Sequence, residues 1–160
     1  MSGSAVATSS ARSASRSGVP DQPDRLNRRE RAGGRRGFGR SPKADALIER
    51  VAAEGAEVPD LWFLEVANGL VMAERRGRMK AAESAAFIAL LEALPITLDR
   101  ATGARALHET LGLARAHGLT AKDAAYLELA MRQGPSLATG DRRLAAAAAG
   151  AGVVAVHAST

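Results

Sequence analysis

From about residue 41 onward, short apolar runs alternate with stretches of helical periodicity, and few folds accept that alternation. Ala44, Leu47, Ile48, Val51 and Ala52 recur at helical spacing up to Gly55, the expected left-handed cap. Glu57 and Val58 then lead into a short strand broken by Pro59, and a second helix is expected over 61–75, stopped by Gly77. In that helix Phe63, Leu64, Ala67, Leu70 and Val71 read as the buried stripe. A third helix over 81–94, a strand over 95–98 ending at Asp99, and a fourth helix from Thr102 or Gly103 to His117 follow, with Gly118 as the stop. A fifth helix over 121–131, a strand over 136–139, a short helix over 142–149 and a last strand over 153–156 complete the pattern. Short strands separated by helices predict an α/β fold: a helix-rich, three-layer α/β/α arrangement on a short parallel sheet.

Right-handed crossovers place the carboxyl ends of parallel strands on one edge, where open α/β sheets carry their sites. Three acids can reach that edge: Glu65 at the head of the second helix, Asp123 at the head of the fifth, and Asp141 just past the strand over 136–139. Hard divalent cations are held by a few carboxylates and water, so this set is a candidate metal site. Each acid also has a plain structural role open to it. Glu65 is a first-turn acid favoured by the helix dipole, Asp123 forms a capping box with Thr120, and Asp141 caps the Arg142 helix. The three histidines, His108, His117 and His157, show no ligand spacing, and there is no nucleophile elbow, P-loop or dinucleotide-binding glycine motif.

Composition narrows the classes further. The 160 residues are 46% hydrophobic but 3% aromatic, so the core must be built from aliphatic side chains. Cysteine is absent, which removes disulfides and thiolate chemistry and is compatible with a reducing, cytoplasmic setting. No apolar run reaches the ~20 residues of a membrane helix, and residues 1–18 lack the core of a secretory signal. The net charge of +5 hides a division: residues 1–43 carry 10 Lys or Arg against 3 acids, and residues 44–160 carry 12 against 14. Residues 1–40 hold only isolated large apolar side chains, so they are expected to be a disordered basic tail ahead of a domain over 41–160. Within the tail, residues 33–39 (GGRRGFG) resemble Arg/Gly segments that contact RNA; the plain alternative is a composition-biased tail with no such role.

Three words in order, PDLWFLEVANGL, LTAKDAAYLELAM and LATGDRRLAAAA, closely resemble those of PIN-domain ribonucleases of the VapC toxin type. The resemblance runs from about Ser41 to Val156. It implies that Glu65, Asp123 and Asp141 are both the catalytic acids and the metal ligands, with Asn68 and Thr139 as flanking polar positions. It further implies a Mg²⁺- or Mn²⁺-dependent endoribonuclease, dimeric, acting on RNA phosphodiesters and inhibited by a VapB-type antitoxin.

The family pattern begins with a strand ending in an Asp word whose carboxylate is a ligand at the centre of the sheet. No such strand is legible upstream of Ser41, where the sequence reads DQPDRLNRRERAGGRRGFGR. The first strand is therefore expected to be absent, and its loss to lower stability, metal affinity and turnover. Arg, Gly, Ala, Ser and Pro dominate this segment as they do when GC-rich sequence is read out of frame, so an altered start or a shifted reading frame is the expected origin. Lys122 places a cation directly beside Asp123, a further expected weakening of metal binding. A catalytically impaired PIN-fold remnant that binds antitoxin or RNA without cleavage is the alternative function.

Overall fold

The computed structural model describes residues 6–8, 42–134 and 136–157. The expected disorder of residues 1–40 and the GGRRGFG segment lie outside the described residues, apart from Val6–Thr8. Strand β1 (Val6–Thr8) is followed by helix α1 (Pro42–Glu54), strand β2 (Ala56–Pro59), helices α2 (Trp62–Arg75) and α3 (Ala81–Glu92), and strand β3 (Ile96–Asp99). Helix α4 (Thr102–Arg105) runs through a π-helical segment, Ala106–Thr110, into α5 (Leu111–His117). Helix α6 (Ala121–Gln133), strand β4 (Ser136–Thr139), helix α7 (Arg142–Gly150) and strand β5 (Ala155–His157) complete the order. No helix among the described residues is long and apolar enough to cross a membrane.

The five strands form one sheet in the order β3-β2-β1-β4-β5. Strand β2 runs parallel to β3 with Pro59 opposite Asp99, and β4 runs parallel to β5 with Thr139 opposite His157. The position between the two pairs, expected to lack a strand, is filled by Val6–Thr8, and it runs antiparallel to both neighbours. Val6 lies opposite Ala138 and Thr8 opposite Ser136, so the start of β1 is at the edge where β4 ends. The physical reason is the cost of unpaired backbone: without β1, facing edges of β2 and β4 would expose their N–H and C=O groups in the middle of the sheet. A three-residue segment with two β-branched side chains is enough to pair with them.

Helix α6 is the centre of the packing. Ala124 through Ala130 are all buried, and Tyr126, Leu127 and Ala130 join Val58, Trp62, Leu137, Leu144, Ala147 and Ala148 in one cluster. Each large side chain in that cluster stabilises the fold by about 1.5–3 kcal/mol relative to exposure. The buried stripe of α2 differs from the expected one. Phe63, Leu64 and Val71 are exposed, Leu64 at 76%, while Trp62 and Leu70 are buried and Val66 packs against the core. Trp62, Val66 and Leu70 follow i, i+4, i+8 spacing, and the bulk of the indole fixes which face turns inward. That rotation brings Glu65, one residue from Val66, to the rim of the core.

Buried charge elsewhere is paired. Asp99, at 5% exposure, accepts from Thr102 Oγ1 at 2.9 Å and from Arg132 at 2.6 Å; Arg132 also donates to Glu128 at 2.9 Å. Asp99 thus ties the end of β3 to α6.

Candidate functional site

Glu65 enters the site from the first turn of α2, where an acid is favoured by the unpaired N–H groups of the helix start. Its carboxylate is held from two sides. The buried Tyr126 hydroxyl donates to Oε2 at 2.5 Å, and Lys122 Nζ lies 2.8 Å from Oε1. Both partners come from α6, so a short stretch of one helix determines the state of an acid on another.

Asp123 sits in the first turn of α6. The Thr120 hydroxyl donates to Asp123 Oδ2 at 2.7 Å while its oxygen accepts from the Asp123 backbone N–H at 3.1 Å. This satisfies one orphan donor of the helix start, as the capping reading anticipates. Asp123 Oδ1 is left facing Lys122 Nζ at 4.0 Å. Asp141 is the N-cap of α7: its Oδ1 accepts from the N–H groups of Arg143 at 2.8 Å and Leu144 at 2.9 Å. The fully buried Thr139 supports it, accepting from the Asp141 backbone N–H at 3.0 Å. Arg143 in turn reaches the Gly118 carbonyl at 2.7 Å, joining α7 to the turn before α6. Gly118 is at φ +60°, a left-handed cap that an L side chain adopts with strain.

Lys122 lines one recess and its chain neighbour Asp123 lines another. One, of about 600 Å³, is lined by Glu65, Asn68, Lys122, Arg76 and Arg78 among others. The other, of about 320 Å³, is lined by Thr120, Asp123, Asp141 and Arg143. Asn68 is exposed on the same wall as Glu65, while Thr139 acts from behind Asp141.

Electrostatically the acids act on Lys122. Its ammonium is held above the usual lysine range, first by the hydrogen bond to Glu65, against an opposing effect of burial, with Glu65, Asp123 and Asp141 adding attraction. Tyr126 is pushed far above the usual phenol range by burial first and by Glu65 second, so its hydroxyl stays a donor. The acids as placed do not fit a divalent cation. No group of three His, Cys, Asp or Glu side chains converges closely enough to hold one among the described residues. Lys122 instead occupies the position shared by Glu65 and Asp123. Strand β1 brings no acid to the edge, being Val-Ala-Thr.

Tyr126 was not singled out by sequence reasoning, because a tyrosine within AAYLELA is indistinguishable from core by periodicity. Its spacing was the available signal: it follows Lys122 by one helical turn, so the two share the face that meets α2.

The fold is thus a helix-rich α/β sheet with acids from α2, the start of α6 and the start of α7. Residues 36–150 match the family profile described as PIN domain. The chain is 35% identical over 106 residues to ribonuclease VapC3 of Pyrobaculum aerophilum, covering 66% of this chain and 79% of that protein. Among solved structures, the crystal structure of PAE2754 from Pyrobaculum aerophilum superposes with a TM-score of 0.51 at 31% identity, over 62% of this chain. The match spans 65% of that solved chain. The chain belongs to the PIN-domain family, in its VapC-type branch.

Proposed function

We propose that this chain is a toxin-type endoribonuclease that hydrolyses RNA phosphodiesters, with Glu65, Asp123 and Asp141 as its acids and Asn68 and Thr139 as their supports. One observation carries the reading: Glu65 and Asp123, from separate helices, are drawn onto a single cationic group, and Asp141 shares a recess with Asp123. Arg76, Arg78 and Lys122 give the larger recess a cationic wall suited to a polyanion. Mg²⁺ or Mn²⁺ as cofactor, a VapB-type antitoxin as inhibitor and a homodimer as the working form belong to the same proposal, supported by kinship with ribonuclease VapC3. Turnover is expected to be low, because the central strand supplies no acid and Glu65 is engaged by Lys122.

Those two features also favour a second reading, binding of RNA or antitoxin without cleavage. The two are separated by incubating labelled RNA and Mg²⁺ or Mn²⁺ with the purified chain and with its Glu65→Gln and Asp123→Asn variants. Cleavage by the parent that both variants lose supports the enzyme. Equal background in all three removes it and leaves binding.

A further inference from the structure

We propose that Lys122 is the resident cation of this carboxylate cluster, seated between Glu65 and Asp123, so that a divalent ion binds only by displacing it. The contact with Glu65 is direct, Nζ lying 2.8 Å from Oε1, and Asp123 Oδ1 lies 4.0 Å away, at the limit of the ion-pair range. The remaining oxygens are engaged in ways that hold this arrangement. Tyr126 donates to Glu65 Oε2 and the Thr120 hydroxyl to Asp123 Oδ2, so the two oxygens turned toward Lys122 are those left for a cation. Asp141 contributes charge but has its Oδ1 committed to two N–H groups of α7.

Charge balance gives the reason. Three carboxylates without a fourth on the central strand bind a dication less strongly than a full set, and an ammonium tethered beside Asp123 is always at hand. Lys122 is one-third exposed and also lines the larger recess, so it has open space to swing into when displaced.

The proposal takes from the ribonuclease reading only the choice of ion, and its test reads binding rather than cleavage. A chain that cuts no RNA would leave it standing. Mn²⁺ is titrated into the full chain at pH 7 and free ion is followed by electron paramagnetic resonance, for the parent, Lys122→Met, Lys122→Arg and Arg76→Met. Thermal melts confirm that each variant is folded, and Lys122→Gln replaces Lys122→Met if the latter does not melt cooperatively. Removing the ammonium is expected to tighten Mn²⁺ binding at least tenfold, with Lys122→Arg and Arg76→Met close to the parent. Adding Glu65→Gln to Lys122→Met is expected to abolish the gain. A gain under tenfold, no binding by any variant, or an equal gain in Arg76→Met would overturn the proposal, the last by reducing it to general charge.

Discussion

Replacing Tyr126 with Phe removes one oxygen and leaves the ring that packs in the core, so the change isolates the hydrogen bond to Glu65. A hydrogen bond to a charged group contributes about 1.5–3 kcal/mol, and Glu65 keeps Lys122 and partial access to water, which places the loss at the lower end, ~1–2 kcal/mol. For a domain of this size that is a melting-temperature drop of roughly 4–8 °C at pH 7. The pH dependence is the sharper test. Because the folded state raises the Tyr126 pKa, the stabilisation is fully present below the unfolded value of ~10 and declines as pH rises toward the folded value. The advantage of the parent over Tyr126→Phe should therefore shrink by about 1 kcal/mol between pH 10 and 11, whatever else titrates in both. Urea unfolding at pH 7, 9, 10 and 11 measures it. Equal stability at pH 7, or a difference that does not change up to pH 11, would refute the account of Tyr126 as a buried donor to Glu65.

Further outcomes follow from the same geometry. Arg132→Met leaves Asp99 and Glu128 without their main cation in buried surroundings and should cost about 3 kcal/mol in chemical denaturation, more than any exposed ion pair. Leu127→Ala opens a void beneath α6 and should cost ~2–5 kcal/mol by the same measurement. Thr120→Ala removes the cap of α6 and should cost about 1 kcal/mol, while releasing Asp123 Oδ2; hydrogen exchange at the first turn of α6 reports the fraying. Asp141→Ala should destabilise α7 by a similar ~1 kcal/mol, read as lost protection at Arg143 and Leu144.

Periodicity carried most of the fold. The runs at Ile96–Asp99 and Ser136–Thr139 are strands, and the glycines at 55 and 118 end helices where stops were expected, both in the left-handed region. The exposed face of α2 was not legible, because Phe63, Leu64 and Val71 match a helical stripe as well as Trp62, Val66 and Leu70 do; packing of Trp62 and Val66 into the shared core cluster decides between them. The central strand was hidden for a different reason. Three residues leave no periodic signal, and the partners of Val6–Thr8 lie far along the chain. For the proposed site, residue type and position in the pattern singled out Glu65, Asp123 and Asp141 as candidates. The Thr120 and Asp141 caps were also anticipated, since their spacing is local. What spacing could not give was the long-range contact from α6 to Glu65, by which the chain's own lysine and tyrosine meet a carboxylate on another helix.

The direction of β1 has a consequence for anyone seeking to rebuild a fuller acidic set. A strand running parallel to its neighbours delivers its last residue, and the loop beyond it, to the edge that holds Glu65 and Asp141. Reversed, the same strand delivers its beginning there, and its last residue, Thr8, lies at the opposite edge beside Ala56 and Ser136. An aspartate placed at the strand's end, in place of Thr8, would lie on the edge away from Glu65 and Asp141. An acid at the end of the strand is thus blocked by polarity rather than by composition, whereas one at its beginning, Val6, would lie at the edge where β4 ends.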